Sequence, residues 1–216
     1  MSHTLFREGS VESLHDDIAL VVRPERGINS AGSAEKVQHI LDLLQKHHAN
    51  NFGGGYHKNI YVNPYVSMRE EYTKDGESLC GVFSSYDDAC AFLADLVACD
   101  FGISVVFSGL YNDIDCMCKK NGLTPHTTNH SLGIWGKTET LPPPEYRAIS
   151  TMCGHGMIPF SLIQSVVADI KKGRLTLEKG AEKLALPCTC GILNTKRAEK
   201  LLAAIIAKDA AESTKE

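Results

Sequence analysis

Between residues 17 and 137 short β-branched runs alternate with amphipathic stretches, and beyond Pro142, Pro143 and Pro144 no strand-like run recurs. That order limits the fold more than any single motif. Strand and helix in series argue a mixed layered sheet with helices on at least one face, and a strand-free remainder argues a helical bundle. The expected class is therefore α/β, a mixed sheet with βαβ-like units, followed by a small all-helical C-terminal domain.

DIALVVR (17–23), LCGVF (79–83) and GISVVFSG (102–109) read as strands. Helical spacing of apolar residues appears at Val37, Ile40, Leu41 and Leu44, at Ala89, Phe92, Leu93, Leu96 and Val97, and at Leu110, Ile114 and Met117. This last stretch stops at Asn121-Gly122, where glycine can take a left-handed cap. NFGGGYHK (51–58) reads as a glycine-rich turn. KNIYVNPYV (58–66) reads as extended, with Pro64 at an edge or bulge, and HTTNHSLGIW (126–135) as extended again.

After the prolines come three helices, with Phe160, Ile163, Val166, Val167 and Ile170 inward in the first and Ala198, Leu201, Leu202, Ile205 and Ile206 inward in the third. LTLEKGAEKLA (175–185) is the short helix between them, and AESTKE (211–216) is expected to fray. The division is an N-terminal extension 1–16, an α/β domain 17–137, a proline-rich linker 138–145 and a helical domain 146–216, which would bind a metal or cluster.

A chain of 216 residues with 43% apolar content can bury a core without covalent staples. Its formal charge of −4 gives no electrostatic reason to expect a nucleic-acid partner. The N-terminus lacks an apolar leader core and no window approaches the roughly 18 apolar residues of a membrane span, so a cytoplasmic protein with no membrane partner is expected. In a reducing compartment the eight cysteines are better read as metal ligands or redox groups than as four bridges.

Cys188-Thr189-Cys190-Gly191 precedes the last helix, and Cys153, in TMCGHGMIP, precedes the first helix of the C-terminal region. Both are helix N-terminal loops, where free N–H groups and the dipole lower thiol pKa values. An antiparallel helical hairpin between them would return Cys188 and Cys190 to Cys153. Three thiolates without an obvious fourth match a [4Fe-4S] cluster with one open iron, and in ligand count alone this is similar to the clusters of aconitase-type hydro-lyases. The open iron would serve as a Lewis acid in a lyase or hydrolase acting on a small molecule. An electron-transfer or redox-sensing iron–sulfur module docking a redox protein is the non-catalytic alternative. A zinc-stabilised interaction domain, with His155 completing a Cys3His set, is a second. Buried thiols packed at helix starts are the plain alternative to all of these.

Cys80, before a glycine at a strand start, remains an outside candidate for a fourth ligand or a nucleophile, while Cys90, Cys99, Cys116 and Cys118 read as helix-packing thiols. His126 and His130 would share one face of an extended segment and stand ready for acid–base or substrate contact. Arg23 and Arg26, in a Gly/Ser-rich loop ahead of a helix, offer a site for a carboxylate or phosphate. A helix-turn-helix reading of the C-terminal hairpin, using Lys196 and Arg197 on DNA, ranks low because of the acidic balance.

Overall fold

The computed structural model describes residues 6–213; residues 1–5 of the expected N-terminal extension and 214–216 of the expected frayed tail lie outside the described residues. The elements in order are α1 (Val11–His15), β1 (Ile18–Arg23), α2 (Ser33–Lys46), β2 (Asn51–Gly54), β3 (Lys58–Asn59), α3 (Tyr65–Glu71), β4 (Leu79–Phe83), α4 (Tyr86–Cys99), β5 (Ser104–Ser108) and α5 (Tyr111–Lys120). Four helices follow: α6 (Pro144–Ser150), α7 (Phe160–Lys171), α8 (Leu177–Ala185) and α9 (Thr195–Ser213). A sheet-and-helix region thus precedes an all-helical one.

The strand order is β3-β2-β4-β1-β5, and the four pairings are antiparallel. β1 and β2 therefore run parallel with β4 between them, and β4 and β5 run parallel with β1 between them. Helices α2 and α4 make these two connections, giving interleaved split βαβ units.

Alternation along β1 divides its residues between two faces. Ile18, Leu20 and Val22, with Phe52 and Phe83, pack against Val37, Ile40, Leu41 and Leu44 of α2 and Phe92 of α4. Ala19 and Val21, with Cys80 and Val82 of β4, pack against Ile149, Ile163, Val166, Leu184 and Leu202 of the bundle. Small side chains on the second face let helix-connecting loops come down onto the sheet.

Local differences from the sequence reading have simple causes. The glycine-rich turn is the tip of the β2–β3 hairpin. Pro64 does not sit in a strand; it precedes α3, a position where a missing N–H costs nothing, and Tyr65, Met68 and Tyr72 bury one side of that turn. Pro144 likewise opens α6. Residues 126–135 pair with no strand, and α9 runs on through residues 211–213.

A buried ion cluster ties the N-terminal segment to α9. Asp17 accepts from Arg7 Nε at 2.7 Å and from Arg197 Nη1 at 2.8 Å, and Asn194 Nδ2 donates to its other oxygen at 3.1 Å. Arg197 is 1% exposed, so the side chain that a helix-turn-helix reading needs on the surface is inside. Among the described residues no helix is long and apolar enough to cross a membrane.

Candidate functional site

Where the bundle lies on the sheet, four buried thiols meet. Cys80 stands on β4 opposite Val21 of β1 and Gly53 of β2, on the bundle side. Cys153 follows α6, and Cys188 and Cys190 occupy the loop between α8 and α9. That loop is a tight turn: the Cys188 N–H donates to the Ala185 carbonyl at 2.9 Å and the Gly191 N–H to the Cys188 carbonyl at 3.0 Å.

The sheet holds the turn in place. Asn59 at the end of β3 donates through Nδ2 to the carbonyls of Ala185 at 2.9 Å and Cys188 at 2.8 Å. Gly191 has φ +75°, and a Cβ there would lie 2.3 Å from the Phe52 carbonyl carbon. Only glycine both adopts this conformation freely and lets the loop abut the β2 backbone.

The four thiols lie in series, Cys153 beside Cys188, Cys188 beside Cys190 and Cys190 beside Cys80. A hydrogen bond raises the pKa of a titrating donor and lowers that of its acceptor. Neighbouring thiols in the series therefore push one another's pKa values apart, and burial adds to the rise. The contact with Cys188, then burial, pushes the Cys153 thiol far up, against the backbone N–H groups of Met157 and His155. For Cys188 the contact with Cys153 is the largest influence and pulls down, but the contact with Cys190 and burial together carry it up to about 12. Cys190 is likewise pulled down by Cys188 and carried up to about 12 by its contact with Cys80 and by burial.

The expected lowering of thiol pKa at helix starts is thus overturned. Loop amides of Leu193 and Ile192 do bond to the sulfurs of Cys188 and Cys190, but thiol-to-thiol contacts and burial outweigh them. Next to the series stands exposed His155, whose Nδ1 lies 3.8 Å from Cys190 Sγ.

Serial contact also corrects the metal reading. A cluster or a tetrahedral ion requires several donors facing one point. Among the described residues no group of three or more His, Cys, Asp or Glu side chains is placed to hold a metal ion. The [4Fe-4S] assignment to Cys153, Cys188 and Cys190 does not hold, nor does its electron-transfer variant or the zinc site with His155. The lyase or hydrolase chemistry built on an open iron falls with them.

The remaining sequence candidates lie apart from the thiols. His126 and His130 are exposed in the irregular segment after α5, and His126 Nδ1 contacts its neighbour Thr127 Oγ1 at 2.6 Å. Arg23 is exposed at the end of β1 and Arg26 in the turn beyond it. The anion position ahead of α2 is taken by the chain itself: Asp75 accepts from the N–H groups of Gly32 at 2.8 Å and Ala34 at 3.0 Å. Those bonds, Ala34's first, hold the Asp75 carboxyl below its ordinary range.

The sequence named three of the four thiols as a site and offered Cys80 only as an outside candidate for a fourth ligand or a nucleophile. Cys80 shares a sheet face with Val82, yet which face the bundle covers is not local information. Asn59 carried no signal, since its role depends on a loop far along the chain. The chain matches no protein-family model, no curated protein and no solved structure.

Proposed function

We propose that the chain is a cytoplasmic thiol-redox protein whose working group is the Cys153–Cys188–Cys190–Cys80 series, with low-molecular-weight disulfides or a redox protein as its partner. One observation carries the reading: four buried thiols, each beside the next. Paired from the ends they form Cys153–Cys188 and Cys80–Cys190 with none left over. Joining the middle pair would strand both ends and close a tight ring across Thr189. Eight free cysteines fit a compartment that keeps thiols reduced.

Cys190 is the entry thiol, because its sulfur faces the exposed imidazole of His155. The Cys190 proton passes to His155 and the thiolate attacks a small disulfide, releasing one small thiolate and leaving a mixed disulfide on Cys190. Cys80, deprotonated in turn, attacks the Cys190 sulfur and expels the second small thiolate. Two protons and two electrons leave the pair, and the small disulfide becomes two thiols.

A thiol with a pKa of about 12 is ~10⁻⁵ ionised at pH 7, so attack is slow. Such a site responds to sustained oxidation and does not turn over quickly, which favours a redox-responsive role over an oxidoreductase. The test is equilibration in glutathione buffers of graded potential, followed by alkylation, unreduced proteolysis and mass spectrometry. Loss of four thiols as Cys153–Cys188 and Cys80–Cys190 is expected. Four free thiols under oxidising conditions, or bridges confined to Cys90, Cys99, Cys116 and Cys118, would leave the series as packing.

A further inference from the structure

The two edges of the sheet are unlike. β3 closes one side with two residues, Lys58–Asn59, whereas β5 ends the other with five uncharged ones, Ser104–Ser108. Edge strands are normally kept from pairing by being short, charged, bulged or covered. β5 pairs with β1 in unbroken register, so it has no bulge. It is also uncovered: Val106 lies opposite Val21 on the bundle-side face, yet it is 45% exposed while Val21 is 1%. The bundle stops one strand short.

The segment between α5 and α6 is tethered near one end of this edge strand, where the hydroxyl of Tyr111, the first residue of α5, donates to the Asn129 carbonyl at 2.9 Å. It displays Leu132, Ile134 and Leu141 to solvent, together with Trp135 at 80% exposure. Long loops without regular structure are uncommon in compact chains unless they bind something. An exposed tryptophan on a segment tethered near the end of an unpaired edge strand suits a surface that takes a partner.

We propose that β5 pairs antiparallel with β5 of a second copy of this chain, the two segments 122–143 folding over the joint. A two-fold axis sets like against like, so the strip at the joint must carry no net charge. β5 has none, and the segment carries Lys137 against Glu139. The exposed apolar side chains of Val106, Leu123, Leu132, Ile134, Trp135 and Leu141 offer roughly 600 Å² per copy, hence about 1,200 Å² in the pair, which reaches the range of stable interfaces before strand pairing is added.

Analytical ultracentrifugation of the full chain, with a fluorescence dilution series, tests this. Trp135 is the only tryptophan, so its emission reads the joint directly. Sedimentation at twice the chain mass is expected, with emission moving to the red on dilution. Val106→Lys should weaken the dimer by about 100-fold or more, because it buries a charge against its own image. Trp135→Ser, outside every strand and helix, should weaken it as well while leaving circular dichroism unchanged. A wild-type chain that stays monomeric at about 100 µM, or a dimer that survives both substitutions, overturns the proposal.

Discussion

The two faces of the sheet are built from one set of strands but solve different problems. Toward α2 and α4 the contacts are mostly hydrocarbon, with Ile18, Leu20, Val22, Phe52 and Phe83 meeting helical leucines and isoleucines and the buried Tyr72 hydroxyl donating to the Ser78 carbonyl. Toward the bundle the same strands present Ala19, Val21 and Cys80 to Ile149, Ile163 and Leu202, and thiols, asparagines and an aspartate between two arginines join that apolar contact. A hydrocarbon face needs only volume and pattern, so many sequences satisfy it. The bundle face depends on named donors and acceptors, and single atoms matter there.

The largest test of that difference is Asp17→Ala. It leaves Arg7 and Arg197 buried without their carboxylate, and breaking such a cluster costs about 3–5 kcal/mol. Urea unfolding measures it. A loss under about 1 kcal/mol would mean that water reaches the two guanidinium groups and that the bundle face is less dry than its burial implies.

Gly191→Ala comes next, at about 2–4 kcal/mol, because it combines a left-handed backbone with a clash against Phe52. Gly122→Ala is the matched control: its φ is +68° but nothing lies within 4 Å of the added Cβ, so only the backbone strain of about 1 kcal/mol remains. Cys188 and Cys190 should also react faster with a disulfide reagent in the Gly191 variant, as the loop lifts from β2. Equal costs for the two glycines would show that the loop does not press on the sheet.

The hydrocarbon face was the more legible of the two in the sequence. Val37, Ile40, Leu41 and Leu44 follow a helical period, DIALVVR holds an unbroken apolar run, and both patterns are local. The bundle face was legible only in part. Cys153, Cys188 and Cys190 drew notice through their glycines, and the helical hairpin did bring them together. Their protonation state and serial arrangement were not readable, because both depend on Cys80 and on burial under a bundle that arrives from far along the chain. For the same reason Asn59, Asp17 and Arg197 looked like ordinary surface residues in the linear sequence.

The smallest effect per group separates the faces by pH. Cys188 and Cys190 have folded values of about 12 against an ordinary thiol value of 9.0. A folded pKa raised in this way favours the neutral thiol, so its stabilisation is complete below about pH 9 and is lost as pH climbs from there toward 12. At pH 10 the unfolded chain has released the protons that the folded chain still holds, which removes about 1.4 kcal/mol per thiol. On the opposite face Tyr72 is also raised by burial, but its ordinary value is 10.0, so its contribution begins later. Chemical denaturation at pH 8, 9 and 10 should therefore show a decline that the Cys188→Ala/Cys190→Ala variant flattens and Tyr72→Phe leaves in place. If Tyr72→Phe flattens it instead, the alkaline weakness belongs to the hydrocarbon face, and the thiols ionise freely enough to be fast nucleophiles.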